Sequence, residues 1–266
     1  MRSIALILVV VLALVSTGEA QRRGGGRGGG RGGFSVQPAV PEDFDGSWQF
    51  CRVAFREASN GDGGNWSVDY PRADQNLSIR LSELTKTPVS FDDRNEPNHL
   101  LITLSQDELF RCPFIMMTEV GSVYLDETEA ENLRKYLLKG GFMIFDDFRE
   151  RWRGQYDFSA LQNHMSRAIP TAKWVQLTGK EPIFDSFFKI DLNGPISGTS
   201  AYGTNKPTFW GVYQDNDPKK RLIVIANVDN DIGESWEYSA AGFVPIAAAN
   251  ETYKLGINYV IYALTH

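Results

Sequence analysis

Three polar clusters follow apolar runs in this chain. Thr118 and Glu119 follow PFIMM, Asp146 and Asp147 follow FMIF, and Asn227, Asp229, Asn230 and Asp231 close the run RLIVIAN and its continuation. In an open parallel sheet, ligands gather outside the carboxyl ends of the strands. Carboxylates placed there accept hydrogen bonds from hydroxyls or act as general bases. Two adjacent carboxylates also repel each other, which raises the pKa of one and suits it to proton transfer. Asp146 and Asp147 are therefore the candidate catalytic pair. Glu119, Asp146, Asp147, Asn227, Asn230, Asp231 and Trp236 form the candidate ligand-binding set. Strand ends also carry polar residues simply to meet water, and burial separates the two roles: solubilising carboxylates stay exposed, whereas site carboxylates line a cleft.

Other chemistries find less support. Gly140 and Gly141 precede a strand, so no helix N-terminus points from them at a phosphate. A strand-to-helix elbow of the G-x-S-x-G or G-x-C-x-G type is missing. His99, His164 and His266 are scattered, so neither a catalytic triad nor a zinc site assembles from them. DNDIGE (229–234) offers closely spaced oxygens, but it is shorter than a calcium loop and lacks its register. No metal and no cofactor is assigned on these grounds.

The elements that must position the candidates are short apolar strands alternating with amphipathic helices. WQFCRVAF (48–55), HLLITL (99–104), PFIMMTE (113–119), FMIF (142–145), KWVQL (173–177), TFWGVYQ (208–214) and RLIVIAN (221–227) read as strands. From Asp74 onward, Leu77, Leu81 and Leu84 fall on one helical face. Ser105 and Glu108 have the spacing of a capping box. LDETEAENLRKYLLKGG shows the clearest helix: Asp126 caps it, Glu127, Glu129 and Glu131 suit its positive end, and Gly140–Gly141 stop it. Residues 158–169 read as a further helix, PIFDSFF as a short helix or turn, 193–208 as a loop, and the last helix takes Asn250 as its cap. This alternation means an α/β sandwich of three layers around a mostly parallel sheet.

Residues 1–20 have the layout of a secretory signal: Arg2, a twelve-residue apolar run (4–15), then Gly18 and Ala20 at −3 and −1. Cleavage would start the exported protein at Gln21, in the periplasm or outside the cell. Arg22, Arg23, Arg27 and Arg31 just beyond the run keep an uncleaved anchor open as an alternative. Residues 21–46 read as a flexible basic linker, the only route to membrane contact, and 47–266 as a single domain. Removing the first 33 residues takes five of the 27 basic residues and one of the 33 acidic ones, leaving a net charge near −10. Such a surface is unsuited to nucleic acid. Cys51 and Cys112 could bridge in an oxidising compartment, but both lie in strand-like apolar surroundings and are expected as two buried thiols.

Aromatic residues stand beside polar ones at Trp66 and Tyr70, Trp210 and Tyr213, and Trp236 and Tyr238. Flat faces next to carboxylates suit a sugar ring, although such residues also build cores. The blocks SVDYPRADQNLSIRLSELT, ELFRCPFIMMTEVGSVYLDETEAENLRKYLLKGGFMIFDDF, EPIFDSFF and KLGINYVIYALTH, in this order, resemble the domain-of-unknown-function family 4159 (DUF4159) over residues 48–266. The resemblance implies a class I glutamine amidotransferase-like fold, of flavodoxin-like architecture. In amidotransferases the catalytic cysteine follows the strand after a helix-Gly-Gly step; here Asp146 and Asp147 hold that place, so glutaminase activity is not expected. Trehalose-utilisation-like relatives share the step without the cysteine and lean towards sugars. The expected function is binding of a small polyhydroxy or carbohydrate-like ligand, with its modification left open. The alternative is a non-enzymatic interaction module of the cell envelope.

Overall fold

The computed structural model describes residues 37–266 apart from 59–63, 151–156, 195, 197–205 and 243. The secretory signal, the Gly/Arg tract and most of the 193–208 loop lie outside the described residues. Residues expected as the end of the linker are packed: the Ala39 N–H donates to the Leu101 carbonyl at 2.8 Å, and Arg111 lies over the Phe44 ring.

Nine strands form among the described residues: β1 (Phe50–Val53), β2 (Arg56–Glu57), β3 (His99–Ile102), β4 (Phe114–Thr118), β5 (Val123–Tyr124), β6 (Phe142–Phe148), β7 (Val175–Gln176), β8 (Thr208–Tyr213) and β9 (Leu222–Val228). Seven build one sheet in the order β3-β1-β4-β6-β9-β8-β7, and β2 pairs with β5 separately. The first five of that order are mutually parallel; β8 and β7 close the edge antiparallel. This is the mostly parallel α/β sheet expected, with its carboxyl ends on one edge.

Among the described residues, five helices cover it: α1 (Arg72–Leu84), α2 (Glu127–Leu138), α3 (Asp157–Ala168), α4 (Ile232–Glu237) and α5 (Ile246–Thr265). Alternation along β6 explains the layering. Phe142 and Ile144 pack with Leu77 and Leu81 of α1 and Tyr259 of α5, while Met143 and Phe145 pack with Leu133 of α2 and Leu161 of α3. A strand buried on both faces must be apolar throughout, and FMIF is. The capping box of α2 forms as read: Asp126 Oδ1 accepts from the Glu129 N–H, and Glu129 Oε2 from the Asp126 N–H, each at 2.9 Å. Gly141 permits the tight exit from this helix, because a Cβ there would lie 2.3 Å from the Tyr136 ring.

Three expectations change and one helix is added. Residues 107–111 make a 3-10 turn with Gln106 at its cap and no side-chain cap bond, rather than a helix capped by Ser105. The last helix begins at Ile246 after Pro245, so Asn250 lies inside it. Helix α4 was not among the elements read from the sequence. Cys51 and Cys112 are not thiols: they form a disulfide, with their Cα atoms 6.2 Å apart. The physical reason is adjacency. Strand β1 lies between β3 and β4, which brings the start of β1 beside the residue that leads into β4, within the span a disulfide bridges.

Candidate functional site

The strand β6 does not stop at its carboxylates but runs through them to Phe148, and all seven residues are buried. Its register against β9 shifts between Phe145 and Phe148. Asp147 sits in that bulge at φ 56°, a left-handed conformation uncommon for a residue with a Cβ. Bulges next to functional sites re-aim side chains.

Asp146 is fully engaged. Its Oδ1 accepts from Asn227 Nδ2 at 2.9 Å, and its Oδ2 from the backbone N–H groups of Ile232 and Gly233, each at 3.0 Å. Asn227 in turn accepts from the Tyr259 hydroxyl at 2.7 Å. A carboxylate on the first N–H groups of a helix is favoured by their partial positive charge. Burial still pushes the Asp146 carboxyl up to about 6, against these hydrogen bonds.

Asp147 meets two partners from distant parts of the chain. One carboxylate oxygen from each of Asp69, Asp147 and Asp231 lies within 4.8 Å of the others. They are 8%, 2% and 4% exposed. Asp69 precedes α1, and Asp231 is the cap of α4, its Oδ1 accepting from the Glu234 N–H at 2.7 Å. Burial raises all three above the ordinary carboxylate range. For Asp147 the charges of Glu119, Asp69 and Asp146 add to it; for Asp231, those of Asp147, Asp69 and Asp146. Asp69 is pushed up to about 8, mainly by burial, with Arg52 opposing and Glu237 reinforcing. Asp69 Oδ2 is buried without a hydrogen-bond partner.

Arg52, in the middle of β1, supplies nearby positive charge but is committed elsewhere. Its Nε donates to both oxygens of Asp74 at 3.1 Å, its Nη2 also bonds Asp74 Oδ1, and its Nη1 donates to Thr118 Oγ1 at 3.2 Å. Both members of the ion pair are fully buried.

Of the sequence candidates, the structure brings Asp147 and Asp231 together, with the Glu119 charge close to Asp147. Asp146 and Asn227 anchor α4 and α5 instead. The Oδ1 of Asn230 accepts from the Asp231 N–H at 3.0 Å. Trp236 is fully buried with its ring against Gly256, in the core beneath α1 and α5. Trp66 and Trp210 are also packing residues, against Tyr70 and Phe158. Tyr238 is open, and the charges of Glu237 and Asp69 act on its hydroxyl. Asp69 and Arg52 were missed as site residues. A charge inside the otherwise apolar FCRV was the available signal, since a buried guanidinium requires a buried carboxylate.

A doubly wound α/β sheet with its buried polar groups gathered at the carboxyl edge is a ligand-binding layout shared by many unrelated proteins. A family model described as Domain of unknown function (DUF4159) matches residues 49–264, and the chain belongs to that family. No curated protein matches this chain.

Proposed function

We propose that the domain binds a small polyhydroxy or carbohydrate-like ligand at the carboxyl edge of its sheet, outside the cytoplasm and without glutaminase activity. The observation that carries this reading is the convergence of Asp69, Asp147 and Asp231 from three separate segments. Hydroxyl groups donate to carboxylates, and the open ring of Tyr238 beside Glu237 offers a face for the apolar side of a sugar. Asp147, held in its bulge with a raised pKa, has the character of a general base. The class I glutamine amidotransferase-like relationship is part of the same reading. Its thiol chemistry has no counterpart here, because both cysteines of the chain are joined in the disulfide. That bond also supports an oxidising compartment and hence export.

The test is a thermal-shift screen of the purified protein against sugars, muropeptides and nucleotides. A true ligand at a hundred times its Kd adds about 2.7 kcal/mol of stability. Tyr238→Ala should abolish most of that shift. If no polyhydroxy compound moves the transition, the ligand reading falls and the envelope interaction module takes its place.

A further inference from the structure

We infer that Asp69, Asp147 and Asp231 together hold one hard divalent cation, each through a carboxylate oxygen. This deepens the reading of the same site given above and rests on that site being functional, but not on the identity of its organic ligand.

The spacing comes first. A calcium ion sits 2.3–2.6 Å from its oxygen ligands and magnesium about 2.1 Å. Oxygens around one such ion are therefore separated by no more than about twice that distance. Three oxygens within 4.8 Å of one another fall inside this limit for calcium, about 4.6–5.2 Å, whereas magnesium, at about 4.2 Å, requires them to draw slightly closer. The donor chemistry comes second. An all-carboxylate set suits calcium, magnesium or manganese and is a poor match for metals that prefer nitrogen or sulfur.

Acidic residues crowd together for many reasons, and the unpartnered Asp69 oxygen is what distinguishes this group. A buried carboxylate oxygen without a donor loses its hydration and receives nothing in return. Asp69 Oδ2 is such an atom, in a residue more than nine-tenths buried. It lies against Gly233 in the first turn of α4, 2.7 Å from the point a Cβ would occupy, and Asp146 Oδ2 is 3.7 Å from that same point. Gly233 thus leaves the space that Asp69 uses. The contrast with Asp146 is direct: both oxygens of Asp146 are filled by N–H donors, whereas Asp69, a member of the acidic group, keeps its Oδ2 unpartnered. Arg52 does not fill that vacancy in hydrogen bonding, since it is spent on Asp74, Thr118 and the Val68 carbonyl. A cation supplies the missing partner and offsets the mutual repulsion of the three carboxylates.

The experiment uses protein stripped with EDTA and no organic ligand. It is titrated calorimetrically with CaCl2, MgCl2 and MnCl2 while thermal unfolding is followed in parallel. One ion per chain and a higher Tm are expected with at least one of the three. Asp69→Asn should weaken that binding at least tenfold, while its Tm in EDTA holds or rises because a repelling charge is gone. A carboxylate with a merely structural role would instead lower Tm in EDTA when replaced. Lys135→Ala, on the exposed face of α2, should bind the ion as wild type does. If Asp69→Asn does not fold, Asp231→Asn decides by the same criterion, since asparagine also caps a helix. Absence of binding by wild type up to ~10 mM, above the weakest sites of this kind, overturns the inference, as does unchanged affinity in the variant. Loss of the cation reading alone leaves sugar binding testable by the screen. Cation binding with no sugar response overturns only the polyhydroxy reading.

Discussion

The two edges of the sheet are built on opposite principles. At the amino edge, the Cys51–Cys112 disulfide ties the approaches to β1 and β4, and a mainly apolar cavity of about 370 Å³ lies among Phe44, Trp48, Pro88, Leu100, Pro113 and Leu264. At the carboxyl edge the same strands lead to buried charge: Arg52 and Asp74, then Asp69, Asp146, Asp147 and Asp231. Apolar burial stabilises without a partner, and a disulfide does so wherever the surroundings keep it oxidised. Buried carboxylates cost stability unless each finds a donor, a proton or a cation. A fold that concentrates such groups at one edge and staples the other has separated the part that holds from the part on which the proposed function rests. The difference teaches where to look for function: in the region whose chemistry the fold alone does not justify.

That separation breaks most severely at Arg52. Arg52→Met leaves Asp74 buried without its partner, next to the charges of Asp69 and Asp146. Loss of one member of a buried pair costs about 3–5 kcal/mol, and the upper end is expected in urea unfolding here. The disulfide follows. Its cysteines are 61 residues apart, and loop-closure entropy assigns such a link about 4 kcal/mol. The double variant Cys51→Ala, Cys112→Ala should lose that much, yet keep the response of the carboxyl edge to its ligand. Thiol titration of denatured, unreduced wild type should find no free thiol. A smaller effect is expected at the bulge. Asp147→Asn should hold or raise Tm while lowering affinity for a screened ligand at least tenfold, about 1.4 kcal/mol; a variant that unfolds would make Asp147 structural.

The mildest test is pH. Asp69 and Asp146 have folded pKa values near 8 and 6, above the ordinary 3.8. Over that window the folded state binds more protons than the unfolded state, so stability falls as pH rises from about 4 towards 8. In EDTA, raising pH from 6 to 7 should lower stability by about 1–2 kcal/mol, most of it from Asp69. A stability that rises over that interval would contradict the burial of these carboxylates.

Much of this architecture was legible in residue order. Apolar runs such as FMIF and PFIMM announce inner strands, and Asp126 with Glu129 announces the start of α2, because these signals are local. Asp147 and Asp231 were legible as strand-end carboxylates for the same reason. What failed depended on neighbours in space. The cysteine pairing required knowing that β1 lies beside β4, which periodicity does not encode. Helix α4 has six residues, too few for a helical repeat to show. Asp69 reaches the site from a loop with no apolar run before it. Trp236 stood beside acids in the sequence, yet its ring turns into the core because a short helix carries it there.

The hydrogen bonds from Ile232 and Gly233 to Asp146, continued through Asn227 to Tyr259, have a consequence for time scales. They lock the first turn of α4 onto an inner strand at one end and onto the longest helix at the other. Amide hydrogens in this turn have no local opening through which to meet solvent, so their exchange reports separation of the sheet from its helical layer. Short of that separation, the first turn of α4 is expected to hold its place at the carboxyl edge.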